Sequence, residues 1–507
     1  MPINIPCLLK LVFLVWPCLF IAGCSRNILM PDPAPTPDQT VEITGGPLLT
    51  QTPAPAPVQY NEYVIKLDIQ PSERMVTGIE KIKLMNTSDY KLRKVYINAP
   101  MKAFSENPPV FDEFLETAYP NGINYGYMSF SNISVDGETA DSSLNGTVLC
   151  IDLPEALPPG ESTEIRLELE ALIPVMNHRT GSDRSGMWFG NFIPMLAVRD
   201  AEGWHTDPYY PAGSPFFAMT SNFNVSVTTP AEYTVAGPGI PAVAENDGRK
   251  TTEFTLKLAR DFAFSIHRRY SFISKTTPSN VEIILYTFSS TSRVNKILET
   301  ASKSLEYYCG LMEAYPYSQL VIAETKLFNK GGMEYPGVIF IDSDYLSSTD
   351  DFASITHAIG QQWFNNIIGS NQIKNAWMDE GLNSFLQMGF SLSGAETDKK
   401  MEEEYDNLKR VLPQIKPNTL NSGLGEFTAW SDYYNVHCVR GKLMFYSLYK
   451  KIGKKKFNEF LTEYNRRYSF RIAAPDDLIQ TAEHVSGMNL GAFFSAWIHD
   501  HDLPPLT

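Results

Sequence analysis

The sequence predicts an α+β fold in which a β domain at residues 59–272 precedes a mostly helical domain at residues 273–507. Apolar and polar residues alternate with a period of two before residue 272, and apolar residues recur at helical spacing after it. A chain of 507 residues is long enough for two or three domains of ordinary size.

The amino terminus resembles the signal of a bacterial lipoprotein. Residues 11–23 are an apolar run after Lys10 that is too short for a typical membrane-spanning helix and is interrupted by Pro17. Small residues precede Cys24, the position that receives the lipid in such signals. We therefore predict a signal peptide at residues 1–23 and a protein anchored in the cell envelope through Cys24. An ordinary secretory signal that happens to contain a cysteine is the alternative.

Residues 24–58 are predicted to be the lipidated cysteine and a linker. Eight prolines fall between Pro31 and Pro57, and such a segment cannot bury a core. Fully extended, it spans on the order of 100 Å at about 3.1 Å per residue. The linker would hold a folded body away from the membrane.

Period-two alternation predicts strands in the β domain and helical spacing predicts helices after it. The predicted strands include residues 63–69, 165–169, 223–227 and 254–258, followed by 281–286 and 320–323. The predicted helices include residues 294–312 and 352–363, and later segments at 443–445, 457–461 and 478–482.

The helix at 352–363 contains an altered metal motif. In an H-E-x-x-H helix, two histidines one turn apart hold zinc, and the glutamate activates the metal-bound water. Here His357 is present, Ala358 stands at the glutamate position and Gln361 stands at the position of the second histidine.

The surrounding motifs resemble those of the zinc aminopeptidases of the gluzincin family, the membrane alanyl aminopeptidase and leukotriene A hydrolase type. Glu380 follows Gln361 by nineteen residues within Asp-Glu-Gly, as the family's third zinc ligand does. Gln-Trp-Phe at residues 362–364 is another shared segment. Upstream, Gly332, Met333 and Glu334 match the segment whose glutamate binds the substrate's free amino group.

A second family segment supplies a tyrosine that hydrogen-bonds the developing oxyanion, followed by a basic residue and glycine. The matching stretch keeps Arg440 and Gly441, but Cys438 stands at the tyrosine position. The resemblance implies a saddle-like β domain followed by a thermolysin-like peptidase domain. It also implies zinc held by His357 and Glu380, with a peptide as substrate.

The substitutions predict a pseudopeptidase. Catalytic zinc normally has three protein ligands, and a neutral amide is a poor replacement for imidazole. Loss of a general base costs about 10²–10⁴ in rate, and loss of an oxyanion donor costs about 10²–10³. We expect weak or absent zinc, and binding of a peptide or partner protein in the old cleft. An active metallo-aminopeptidase with an atypical zinc site is the alternative.

Each site residue also has an ordinary interpretation. His357 could be a packed or solvated histidine, and Glu334, after two glycines, a turn residue. Cys438 could be a third metal ligand, a nucleophile, or a small thiol that fills the space of a lost tyrosine. Gly360, inside a predicted helix, indicates either close packing or relaxed selection.

Charge and cysteine content argue against three other kinds of protein. The net charge of −15 argues against a nucleic-acid-binding surface and against electrostatic adhesion to anionic lipid. Beyond Cys24, the exported part would hold Cys150, Cys309 and Cys438, and this odd number does not predict a disulfide framework.

Overall fold

The computed structural model describes residues 60–289, 293–348 and 353–506, and it confirms the α+β fold. The predicted signal peptide, Cys24 and the whole predicted linker lie outside these residues. In the described ranges, no helix is both long and apolar enough to cross a membrane.

Strands dominate the first part of the chain. The bounds are β1 Asn61–Gln70, β2 Met75–Met85, β3 Leu92–Asn98, β4 Tyr127–Val135, β5 Glu138–Thr139, β6 Ser142–Asn145, β7 Val148–Leu157, β8 Ser162–Leu172, β9 Thr180–Ser182, β10 Gly186–Phe189, β11 Met195–Leu196, β12 Arg199–Asp200, β13 Gly203–Trp204, β14 Ser221–Pro230, β15 Thr234–Ala236, β16 Ala242–Asn246, β17 Arg249–Ala259 and β18 Phe264–His267.

Eight of these strands form one large sheet in the order β16-β17-β14-β1-β2-β8-β4-β5. All its neighbours are antiparallel except β1 and β14, which run parallel. Alternate residues such as Tyr63, Ile65 and Leu67 are buried, because one face of the sheet covers a core. Two four-stranded sheets, β15-β18-β10-β9 and β11-β3-β7-β6, and the two-stranded sheet β12-β13 complete this part.

A five-stranded sheet begins the second part, in the order β19-β20-β21-β23-β22. Its strands are β19 Ser271–Thr276, β20 Glu282–Thr287, β21 Gln319–Thr325, β22 Gly332–Tyr335 and β23 Val338–Asp342. The three central strands are parallel, and the antiparallel edge strand β22 carries Glu334. The predicted boundary at residue 272 falls within β19.

Helices fill the rest of the second part, after the short α1 Leu115–Ala118 in the first. They are α2 Val294–Leu311, α3 Ser343–Ser348, α4 Ala353–Gly360, α5 Gln372–Asn375, α6 Glu380–Ser391, α7 Gly394–Val411, α8 Trp430–Tyr433, α9 Gly441–Tyr468, α10 Pro475–Ser486 and α11 Gly491–His499. A π-helix, Tyr434–Arg440, joins α8 to α9, and Gly453 kinks α9.

The helix that carries His357 is shorter than the predicted helix at 352–363. Its last residue is Gly360, and the following amides form tight turn bonds, from Gln362 N to Ile359 O and from Trp363 N to Gly360 O. Gln361 keeps a helical hydrogen bond to the carbonyl of His357. Trp363 is buried in a turn beyond the helix.

A contact between two glycines brings α6 against the start of α9. A Cβ atom built on Gly381 would lie 2.8 Å from the Cα of Gly441, a separation that real Cβ atoms essentially never show. Gly381 directly follows Glu380, and Gly441 lies three residues after Cys438. The close approach of these two backbones therefore sets the distance between the segment that carries Glu380 and the segment that carries Cys438.

Glu80 is a buried carboxyl group on β2, with no solvent-exposed surface. Neither of its carboxylate oxygens has a hydrogen-bond partner among the described residues. Burial raises the pKa of Glu80 well above its ordinary value, because desolvation disfavours the charged form. Burial in the large sheet therefore favours the neutral form of Glu80.

We expect Gly441→Ala to lower the free energy of unfolding by about 1–3 kcal/mol, because the added methyl forces α6 and α9 apart. Urea denaturation measures this change. The matched control is Gly310→Ala, at an exposed position of α2 where a Cβ meets no atom within 4 Å. That substitution should stabilise the protein by about 0.5–1 kcal/mol. Equal effects of both substitutions would contradict the packing argument.

We expect Glu80→Gln to stabilise the protein more at pH 8 than at pH 5. The folded-state pKa is raised, so stability is full below the unfolded-state value and falls as pH rises above it. The advantage of the variant grows by at most about 1.4 kcal/mol per pH unit. Thermal unfolding across this range measures it, with Glu138→Gln at an exposed strand position as control. A pH-independent difference would show that Glu80 does not titrate as inferred.

Candidate functional site

His357 and Glu380 face each other at the centre of the site. His357 lies on α4, and Glu380 is the first residue of α6. The Nε2 of His357 lies 3.5 Å from Oε2 of Glu380, and both side chains are mostly buried. The sequence spacing thus brings together the two residues that match metal ligands of the family.

The pKa values of this pair are linked. Burial by itself lowers the pKa of His357, but the hydrogen bond and charge of Glu380 raise it to about 8. Burial likewise raises the pKa of Glu380, and the hydrogen bond and charge of His357 hold it below the ordinary value. Imidazolium and carboxylate therefore stabilise each other at neutral pH.

Polar side chains of α6 hold the imidazole on its other side. The Nδ1 of His357 lies 3.3 Å from Oε1 of Gln387 and 3.3 Å from Nδ2 of Asn383. Asn383 also donates to the backbone carbonyl of His357 at 2.9 Å, and it accepts a hydrogen bond from the hydroxyl of Tyr308 at 2.8 Å. This network fixes the ring against α6.

Close packing explains Gly360. A side chain at this position would collide with Asn383 and with the hydroxyl of Tyr308, the two residues that support His357. Of the two interpretations left open by the sequence, the structure therefore favours packing over relaxed selection.

The π-helix brings two further side chains to Glu380. The Cys438 thiol donates to Oε2 at 3.7 Å, and the Tyr433 hydroxyl donates to Oε1 at 3.3 Å. Burial raises the pKa of Cys438 well above its ordinary value, and the charge of Glu380 adds to this effect. The cysteine is therefore a protonated, buried hydrogen-bond donor, which does not suit a nucleophile.

The positions of the lost general base and second histidine are both enclosed. Ala358 is 1% exposed, and its methyl group lies 3.6 Å from where a Cβ on Gly332 would stand. Gln361 has no exposed surface, and neither atom of its amide has a hydrogen-bond partner among the described residues.

Glu334 extends from the edge strand β22 and keeps some contact with solvent. The surrounding protein nevertheless desolvates its carboxylate and raises its pKa to about 7, although the positive charge of His357 opposes this shift. The positive charge of Arg179 also acts to lower the pKa of Glu334, whereas the negative charge of Glu380 acts to raise it. The charges of His357 and Glu380 therefore both influence the protonation of Glu334.

Arg440 has a structural role in this segment. Its guanidinium is fully buried and donates to the backbone carbonyls of Trp497, Asn418 and Asp500. Burial lowers its pKa to about 10, so the group stays charged at neutral pH. The Arg-Gly pair thus ties the carboxyl-terminal segment to the π-helix and packs it against α6.

The residues present do not form the three-ligand site that a catalytic zinc requires. Across the described ranges, no group of three or more His, Cys, Asp or Glu side chains could hold a metal ion. His357 and Glu380 supply two donors, and Gln361 offers only an amide. The donor set therefore does not match the family's metal centre.

Sequence reasoning missed three residues of this site. Asn383 and Gln387 follow Glu380 by three and seven residues, a spacing that places all three on one face of α6. Tyr433 precedes Cys438 by five residues, and the π-helix, with its wider turn, brings both to Glu380. The helical spacing of Asn383 and Gln387 from Glu380 could have been read from the sequence, but no sequence signal indicated the π-helix.

Comparison with known proteins gives a match to the model of the peptidase family M1 domain over residues 296–497. Human endoplasmic reticulum aminopeptidase 2 is 21% identical over 359 residues, which are 64% of this chain and 36% of that protein. Human glutamyl aminopeptidase is 22% identical over 313 residues, 57% of this chain and 32% of that protein. The chain thus spans about a third of the length of these relatives.

Solved structures share the fold. The M1 zinc metallopeptidase from Deinococcus radiodurans superposes with a TM-score of 0.66 at 16% identity, covering 88% of this chain and 94% of that one. A mutant of that enzyme bound to a Tyr-Ser-Ala substrate gives a TM-score of 0.64 at 14% identity, covering 88% and 95%. At these identities the likeness shows the two-domain fold alone.

Proposed function

Because residues 296–497 belong to peptidase family M1, a gluzincin family of aminopeptidases, we propose that this chain binds free amino termini without hydrolysing them. The ligand would be a peptide or the amino terminus of a partner protein, held in the old active-site cleft. Zinc would be bound weakly or not at all.

One observation carries this proposal: the two remaining ligand side chains pair with each other. His357 and Glu380 lie 3.5 Å apart and are braced by Asn383, Gln387, Tyr433 and Cys438. A partner for each charge compensates for its burial without a metal. Ala358 offers no general base for hydrolysis.

Glu334 supplies the recognition. A carboxylate that is partly desolvated and still reached by solvent binds a primary ammonium through charge-assisted hydrogen bonds, which are stronger than neutral ones. This interaction needs no metal, so it survives the changes at Ala358, Gln361 and Cys438. Gly332 and Met333 would form the adjoining wall, since they precede Glu334 on the edge strand β22.

The proposed location is the bacterial cell envelope, with the protein tethered to the membrane through lipidated Cys24. Support comes from the apolar run before Cys24 and from the proline-rich segment after it. The length of the linker would set the greatest distance from the membrane at which the cleft binds peptides or partner proteins.

A second candidate is an active metallo-aminopeptidase with an atypical metal site. The observation in its favour is that Nε2 of His357 and Sγ of Cys438 lie 3.5 Å and 3.7 Å from the same oxygen of Glu380. Zinc content separates this candidate from the first one.

We expect the purified protein to hold well under one zinc per chain after dialysis against trace zinc. The variant Ala358→Glu, Gln361→His, Cys438→Tyr should hold about one, because it regains the third ligand. Elemental analysis by mass spectrometry measures both. The matched control is Ala358→Glu with Cys438→Tyr, which lacks the new histidine. One zinc in the unmodified protein would favour the second candidate.

We expect Glu334→Gln to weaken binding of peptides with a free amino terminus at least tenfold, since hydrogen bonds to charged groups contribute about 1.5–3 kcal/mol. Fluorescence anisotropy with labelled tetrapeptides X-Ala-Ala-Lys measures the affinity, where X is each amino acid in turn. Amino-terminal acetylation should have a comparable effect.

Two controls accompany this experiment. Glu282→Gln changes a carboxylate of the same sheet that accepts a hydrogen bond from Gln319 at 2.7 Å, and it should leave peptide affinity unchanged. Acetylated peptides that bind as tightly as free ones would overturn amino-terminal recognition by Glu334.

A further inference from the structure

A cavity lies beside the site, between residues of the β region and residues that follow α4. It has a volume of about 80 Å³, and its wall includes Arg179, Arg260, Met333, Glu334 and Ser370. His357, Glu380 and Cys438 do not line it. The cavity is therefore distinct from the position of the family's metal, and it adjoins the same Glu334 that would bind an amino group.

Two buried guanidinium groups line this cavity. Arg179 is 4% exposed and Arg260 is 6% exposed, and within the described ranges neither forms a salt bridge. Burial lowers the pKa of Arg260 to about 10, which leaves it charged at neutral pH. A buried charge is costly unless it is compensated, so an anionic ligand here would gain from both groups.

The arginines are held in fixed positions. Arg179 donates to the carbonyl of Gly213 at 3.0 Å and to Oδ1 of Asn191 at 3.4 Å, and it lies over the ring of Phe216. Arg260 donates to the carbonyls of Ala218 at 2.9 Å and Arg471 at 2.6 Å. These bonds use the terminal nitrogens and leave Nε of both arginines free of any partner among the described residues.

Other donors on the wall also have no partner in the described structure. They are the hydroxyls of Ser370 and Tyr335, which are 4% and 3% exposed, and Nδ2 of Asn366, which is 2% exposed. The acceptors in the same condition are Oδ1 of Asn98 and Oε1 of Gln372. Because arginine can only donate, the wall favours a ligand rich in acceptors, such as a carboxylate.

The carboxyl groups on the wall form no salt bridge with the arginines within the described ranges, although the charge of Arg179 acts to lower the pKa of both Asp261 and Glu334. Both oxygens of Asp261 are occupied, by the amide of Phe262 and by Nδ2 of Asn191, each at 2.7 Å. Burial raises the pKa of Asp261 to about 7. In the proposed function Glu334 binds the amino group of the ligand, and Asp207 is partly exposed to solvent.

The size of the cavity limits the ligand group. One water requires roughly 10–15 Å³ of such volume, so 80 Å³ holds roughly five to eight atoms of that size. The side chain of glutamate has five heavy atoms beyond Cα. The cavity therefore suits one acidic side chain and is too small for a length of peptide.

We propose that this cavity receives the acidic side chain of a peptide whose amino-terminal residue is glutamate or aspartate. Its carboxylate would accept from Nε of Arg179, with Arg260 and Ser370 as further partners, while the amino group meets Glu334. The inference rests on the proposed binding of amino termini, and it adds the class of ligand and names Arg179 as the residue that selects it.

The test is a comparison of three labelled peptides, Glu-Ala-Ala-Lys, Gln-Ala-Ala-Lys and Leu-Ala-Ala-Lys, by fluorescence anisotropy. In the unmodified protein, the glutamate peptide should bind at least tenfold more tightly than the glutamine peptide. Arg179→Met should remove this preference, and Arg179→Lys should keep part of it. The control Arg199→Met changes a half-buried arginine that lies over Tyr90 outside the cavity, and it should keep the preference.

The outcomes separate this inference from the function on which it rests. Equal binding of the glutamate and glutamine peptides, with loss on acetylation, would overturn the acidic pocket and leave amino-terminal recognition standing. Absence of binding by all three peptides would overturn both. If Arg179→Met does not fold, the test uses the ratio of the affinities for the glutamate and glutamine peptides. This ratio should be at least ten in the unmodified protein and smaller in Arg179→Lys, and a ratio near one in the unmodified protein would overturn the inference.

Discussion

The contact between Gly381 and Gly441 is the constraint on which the site depends. Two helical segments can approach this closely only where neither has a side chain at the crossing. Because Glu380 directly precedes one glycine and Cys438 lies just before the other, the crossing sets which groups surround the carboxylate. Arg440 stabilises the same crossing by donating hydrogen bonds to the backbone carbonyls of Trp497, Asn418 and Asp500.

Glu380 lies in a polar network that leaves neither of its carboxylate oxygens without a partner. Imidazole, phenol and thiol groups approach the two carboxylate oxygens, and α6 braces the imidazole through Asn383 and Gln387. A buried network of this kind is stable only when its members are satisfied. Gln361 is the exception, since its buried amide has no partner among the described residues.

The two proposed binding regions adjoin each other at Glu334. On one side lie His357 and Glu380, whose charges influence the pKa of Glu334, and on the other lies the cavity with Arg179. Glu334 lies between them on the edge strand β22. A ligand with an amino group and a carboxylate a few atoms apart would match this arrangement of charges.

The sequence alone determined the α+β fold class and the order of its parts, because periods of two and 3.6 residues follow directly from burial on one face of a strand or helix. The resemblance to the family's zinc motif, with Glu380 nineteen residues after Gln361, also implied that His357 and Glu380 would lie close together. Only the tertiary structure decided the partners of those residues. The end of α4 at Gly360, the π-helix that brings Tyr433 to Glu380, and the cavity around Arg179 depend on contacts between segments far apart in the chain. Local spacing carries no information about such contacts, since they arise only when distant backbones pack together.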